Sequence, residues 1–270
     1  MTSVAEHAHA DERESVGGLG DLARDIARGG LAGLVAGVLI GGIGGRVVMR
    51  LAALAVPDSA GLLTENGNRI GAITIGGSMG LVIFIGLFAG LAAGIVWVTV
   101  SPWIPGAGIR RAILTMPIAV ALSGFFLIRG DNLDFLALRH DALVVLMLLA
   151  IPALIGFTIA WLDDGLDRRL PRVSVGSPVV GIGYAVLTAI GLVFLPPIVG
   201  AYFERPATVP MAIALLATGM ATVVWWGLRL RGQQVPPQRL VMAGRAALLA
   251  AVILGTVALV PEVVEALGAS

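Results

Sequence analysis

The stretch GGLAGLVAGVLIGGIGGRVVMRLAA (residues 29–53) decides the fold class. It carries no acid, and its only charges are Arg46 and Arg50 near one end. A transmembrane helix needs about 20 mostly apolar residues to cross about 30 Å of hydrocarbon. Residues 31–53 meet that length, and six further stretches do the same, near 75–99, 112–128, 142–161, 178–201, 209–228 and 241–260. The third of the seven is the shortest. The chain is therefore read as all-α, a polytopic membrane bundle of about seven helices spanning residues 30–262. Residues 1–29 form a cytoplasmic tail and 263–270 a short outer tail.

Composition supports this. Hydrophobic residues make up 57% of the 270 and charged residues 13%, with a mean hydropathy of +0.95, well outside the soluble balance. Every basic residue except the histidines is arginine, and there is neither lysine nor cysteine. Without cysteine there is no disulfide or thiolate nucleophile, and without lysine no Schiff base. Absent lysine beside abundant Ala, Gly, Val and Leu is the habit of GC-rich bacterial coding, which points to a bacterial cytoplasmic membrane. A net charge of +1 gives no bulk attraction to nucleic acid.

Arginine placement gives the orientation, because cytoplasmic loops collect positive charge. Putting the N-terminus inside places Arg13, Arg24, Arg28, Arg110, Arg111, Arg168, Arg169, Arg172, Arg229, Arg231 and Arg239 in the cytoplasm. Arg69, Arg129, Arg139 and Arg205 fall outside. N-in and C-out follows. The polar, acidic residues 1–17 read as disordered rather than as a secretion signal. In 19–28, Leu19, Leu22, Ala23 and Ile26 share one helical face, while Asp21, Arg24, Asp25 and Arg28 share the other. This predicts a short interfacial helix with its polar face to water, followed by an elbow into the first span. The segment WLDDGLDRRLPR (161–172) receives the same surface reading.

Within the opening stretch, Gly29, Gly33, Gly37, Gly41 and Gly45 recur every fourth residue, with Gly42 and Gly44 beside them. Glycine costs about 1 kcal/mol against alanine in a helix interior. The compensation in a bilayer is close backbone approach between helices. Gly86, Gly90 and Gly94 repeat the spacing in the second span, so a glycine-zipper seam between spans one and two is expected. An oligomer seam or a glycine-lined pore is the functional alternative. The GGIGGR run (41–46) matches no phosphate-binding loop, which requires a different spacing and a preceding strand.

Arg46 lies about 22 Å along a helix beginning at Leu31, inside the outer hydrocarbon boundary, with Arg50 one turn further. Either the pair grips an anion, or the side chains snorkel or meet loop acids such as Asp58 or Glu65. With Glu65, Asn66, Asn68 and Arg69 of the polar loop 57–74 above them, Arg46 and Arg50 form the candidate polar or anion site.

No Asp, Glu or His falls in the core of any span as drawn, which argues against proton-coupled transport. His7, His9 and His140 lie in the tail or an outer loop. Asp131, Asp134, Arg139 and His140 read as an acidic solvated loop. No catalytic residue, cofactor or metal is expected, and the chain is read as non-enzymatic. The function expected is a scaffold or accessory subunit, whose partners are the lipid bilayer and a second copy or another membrane protein. The alternative is a small-solute or anion permease or channel with Arg46 near the path.

Overall fold

The computed structural model describes residues 2–55, 75–128, 142–171 and 178–268, with side chains of the first helix described from Gly18 onward. All of its regular elements are helical, and seven helical stretches are long and apolar enough to cross a membrane. That makes the chain a multi-pass membrane protein in kind.

The first span is one continuous helix. Thr2–Ala36 runs into a π-helical stretch, Gly37–Gly44, and on into Gly45–Ala55. The elbow expected after residue 28 is not there, and the helix backbone extends back through the residues read as a disordered tail. Its apolar portion, Gly18–Ala55, is 38 residues long. At 1.5 Å per residue it reaches about 57 Å, far beyond about 30 Å of hydrocarbon, so its first turns emerge from the bilayer.

The second span has the same three-part form: Ile75–Gly80, a π-helical Leu81–Ala89 and Gly90–Val100. The third is Gly108–Leu127, a full-length helix despite its short apolar run. The fourth is Ala142–Arg169, the fifth Pro178–Phe203, the sixth Val209–Leu230 and the seventh Gln238–Ala266.

Packing is densest where small residues let backbones touch. A Cβ added at Gly33 would stand 2.5 Å from the Gly94 Cα and collide with the Gly90 carbonyl. One added at Gly37 would collide with Gly86 and Gly90, and one at Gly90 would stand 2.9 Å from the Gly37 Cα. The two π-helical stretches lie against each other along this seam. Gly41 and Gly45 are buried on the same helix. Elsewhere the device recurs singly. Gly156 brings the fourth span to 3.0 Å from the Thr115 carbonyl of the third, again measured from an added Cβ. Gly255 does the same for the seventh span against Ala121.

Trp103, 1% exposed, lies flat on Gly244 of the seventh span. Its indole N–H donates to Thr222 Oγ1 at 2.9 Å, and that hydroxyl donates to the Thr99 carbonyl at 2.6 Å. The buried polar atoms joining the second and sixth spans are thereby satisfied, as a low-dielectric interior requires. The fifth span stands apart: only Tyr184 and Tyr202 are buried along its 26 residues.

Replacing Gly37 or Gly90 with Leu should force the first two spans apart, at about 1–3 kcal/mol or more. Gly227, with nothing within 4 Å of an added Cβ, is the control. Thermal unfolding in detergent should separate the variants, and equal midpoints for Gly37→Leu and Gly227→Leu would show that the seam carries no packing energy.

Candidate functional site: an arginine–aspartate cluster at one end of the bundle

The polar face of residues 19–28 and the segment 161–172, both expected to face water, meet each other instead. The fourth span does not stop at 161. It continues as helix to Arg169 and carries Asp163 into the packed interior, where it is 2% exposed. Arg24 and Arg28 are four residues apart and share a helix face, and so do Asp163 and Asp167. The two faces interlock.

Arg28 Nε donates to Asp163 Oδ1 at 2.6 Å. Its Nη1 reaches Asp167 Oδ1 and also lies 3.6 Å from Asp25. Arg24 Nη1 donates to Asp167 Oδ1 at 3.0 Å and its Nε to the Leu170 carbonyl at 3.2 Å. A second terminal nitrogen of Arg24 bonds the Asp167 carbonyl. Arg24 therefore caps the fourth span as well as pairing with it: its positive charge meets carbonyls the helix leaves unpaired, at the negative end of the dipole.

The third span is tied into the same cluster at its first turn. Trp103 is followed by a turn in which Gly106 (φ 95°) and Gly108 (φ 57°) adopt left-handed backbone that glycine tolerates best. Asp164 Oδ2 accepts the Gly108 N–H at 2.6 Å, satisfying one of that helix's free donors. Arg111 Nη1 lies 3.4 Å from Asp164 Oδ1 and 3.6 Å from Asp163 Oδ2, and its Nη2 donates to the Ser101 carbonyl at 2.7 Å. The Arg111 guanidinium also stacks 4.7 Å above the Trp97 ring. From the sixth span, Arg229 donates to Asp25 Oδ2 at 2.6 Å.

Four arginines thus face four aspartates across the first, third, fourth and sixth spans, and the cluster is neutral. Asp163 lies at its centre, gripped by Arg28 on one side and Arg111 on the other. At the opposite end of the bundle Arg205 pairs with Glu262 at 3.1 Å. Among the described residues no three His, Cys, Asp or Glu side chains converge to hold a metal ion.

The candidate anion site is only partly described. Arg46 is half-buried, and its Nε is enclosed without a hydrogen-bond partner among the described residues. Along the helix it is 18 residues from Arg28, about 27 Å at 1.5 Å per residue, so the two arginines stand near opposite edges of the hydrocarbon. Arg50 is exposed and has an interaction partner. Glu65, Asn66, Asn68 and Arg69 lie outside the described residues, as do Asp131, Asp134, Arg139 and His140. Gly33, Gly37, Gly86, Gly90 and Gly94 are brought together in the seam between the first two spans.

Sequence reasoning passed over Asp163, Asp164, Asp167, Arg24, Arg28 and Arg111 as site residues. The available signal was complementarity: arginines spaced by four on one amphipathic stretch and aspartates spaced by four on another. No family model matches the chain, and no curated protein or solved structure matches it either.

Removing the central acid takes the buried partner from both Arg28 and Arg111, which keep only their contacts to Asp25, Asp167 and Asp164, and leaves the cluster with an excess positive charge. Breaking one partner of a buried ion pair costs about 3–5 kcal/mol, so Asp163→Ala should lower the unfolding midpoint sharply. Arg229→Ala, at the half-exposed rim of the cluster, should cost about 1 kcal/mol or less. Similar midpoints for the two variants would mean that Asp163 is not the centre of the network.

Proposed function

We propose that this chain is a non-enzymatic multi-pass protein of a bacterial cytoplasmic membrane, acting as a scaffold or accessory subunit. The observation that carries the reading is how the polar groups among the helices are used. The cluster aspartates and arginines neutralise one another across four spans. Thr115 and Ser123, which border a cavity of about 580 Å³ among the second, third, fourth and fifth spans, hydrogen-bond back to the Arg111 and Ala119 carbonyls of their own helix. A catalyst or an ion path needs polar groups turned toward a substrate, whereas these groups are turned toward the frame. The surface for a partner is the fifth span, which packs least on the rest of the chain. Gly183 and Gly200 there have nothing within 4 Å of an added Cβ, leaving small-residue positions for a second copy or another membrane protein.

The arginine bias supports the cluster end as the cytoplasmic one, with the N-terminus inside and the C-terminus outside. Alkaline phosphatase fused after Ser270 should then be active, and a cytoplasmic reporter at the same position silent. The reverse pattern would remove one crossing or invert the protein.

A permease for a small anion is the second reading, supported by the enclosed Nε of Arg46, which has no hydrogen-bond partner among the described residues. Flux through proteoliposomes separates the two. The scaffold reading expects anion and neutral-solute leakage equal to that of protein-free vesicles. Flux above that level, abolished in Arg46→Lys while the protein remains folded, would establish the permease, because lysine keeps the charge but loses the planar fork.

A further inference from the structure

The fifth span leaves space behind it. A cavity of about 580 Å³ lies between it and the second, third and fourth spans, with Phe88, Trp97, Leu122, Ile155, Phe194 and Ile198 in its wall. A second, of about 480 Å³, flanks the same helix on the side of the first and sixth spans. The two share Val96, Ile198 and Tyr202, so together they wrap the inner face of the fifth span. Pro196 and Pro197 interrupt that helix's own hydrogen-bond ladder where Pro197 borders the larger cavity.

Among the described residues no charged side chain lines either space. Five of the hydroxyls that border them, on three threonines of the cavity walls, one on the fifth span and Ser123, are already used. Thr115 and Ser123 bond to their own helix, and so do Thr99, to the Ile95 carbonyl at 3.0 Å, and Thr188, to the Tyr184 carbonyl at 2.8 Å. Thr222 bonds to the Thr99 carbonyl.

Three occupants compete. Water needs two to four polar partners, and apolar cavities of this kind stay dry. Leaving the space empty forfeits dispersion contacts in proportion to the void. A partner helix, a cylinder about 10 Å across and three turns long, fills roughly 1,200 Å³, and would be revealed as a dimer mass. A flexible hydrocarbon chain has the right width and chemistry, and ligand sites of 300–1,000 Å³ with carbon-rich walls are of ordinary size. We propose that the space behind the fifth span is a binding site for an acyl chain of a bilayer phospholipid, entering sideways past that helix. The inference depends on the chain crossing a membrane and is independent of the scaffold reading.

Native mass spectrometry of the protein, purified in mild detergent and depleted of bulk lipid, should show at least one retained phospholipid. Filling the larger cavity with Ala92→Leu and Ala201→Leu should remove one bound phospholipid per protein. Val193→Leu, on the 70%-exposed outer side of the fifth span, should leave binding unchanged. Undiminished retention in the filled variant would overturn the site, as would a dimer mass or a free fatty acid in place of phospholipid. Should the filled variant not fold, chain-labelled phospholipid added to the unmodified protein in vesicles decides the matter by spin resonance. A fixed, strongly immobilised fraction of about one to two chains per protein supports the site, and its absence refutes it.

Discussion

The bundle depends on one constraint: charges at the edge of the hydrocarbon must be neutralised by one another. Asp163 is buried, and a lone carboxylate there would cost several kcal/mol. Arg28 and Arg111 remove that cost from opposite sides. Because Arg28 belongs to the first span and Arg111 to the third, satisfying one acid fixes three helices relative to one another. Asp164 then holds the first turn of the third span through its Gly108 N–H, and Arg24 closes the last turn of the fourth. Asp164 and Arg24 each serve a helix end as well as an ion pair.

The second organising element is the seam between the first two spans, which works by contact rather than charge. In a bilayer no hydrophobic force draws helices together, since lipid is as apolar as leucine. Association has to come from close packing, and Gly33, Gly37, Gly86, Gly90 and Gly94 permit it by letting main chain approach main chain. The seam and the ion cluster meet in the first span, which the cluster fixes at one end and the seam along its middle. The third, fourth, sixth and seventh spans close on this pair through Gly156, Gly255 and the Trp103–Thr222 link. The fifth span takes part in neither device and packs more loosely than the others, with hydrocarbon-lined space behind it.

The sequence by itself determined the class of the fold. Seven stretches of sufficient length with few charges point to a helical membrane protein, because every backbone polar group in lipid must be satisfied within a helix or a closed barrel. The four-residue glycine spacing was visible for the same reason: it is a local pattern on one helix face. What the sequence could not supply was the partner of each face. Residues 19–28 and 161–172 each looked like a helix with its polar side to water, since one amphipathic helix read alone has no other solvent for its charges. Only the tertiary structure brought Arg24 and Arg28 against Asp163 and Asp167, more than 130 residues away, turning two apparent surface segments into the neutral centre of one end. The extension of the fourth helix beyond 161 was decided there too, because burying Asp163 becomes affordable only once two arginines from other spans are in place.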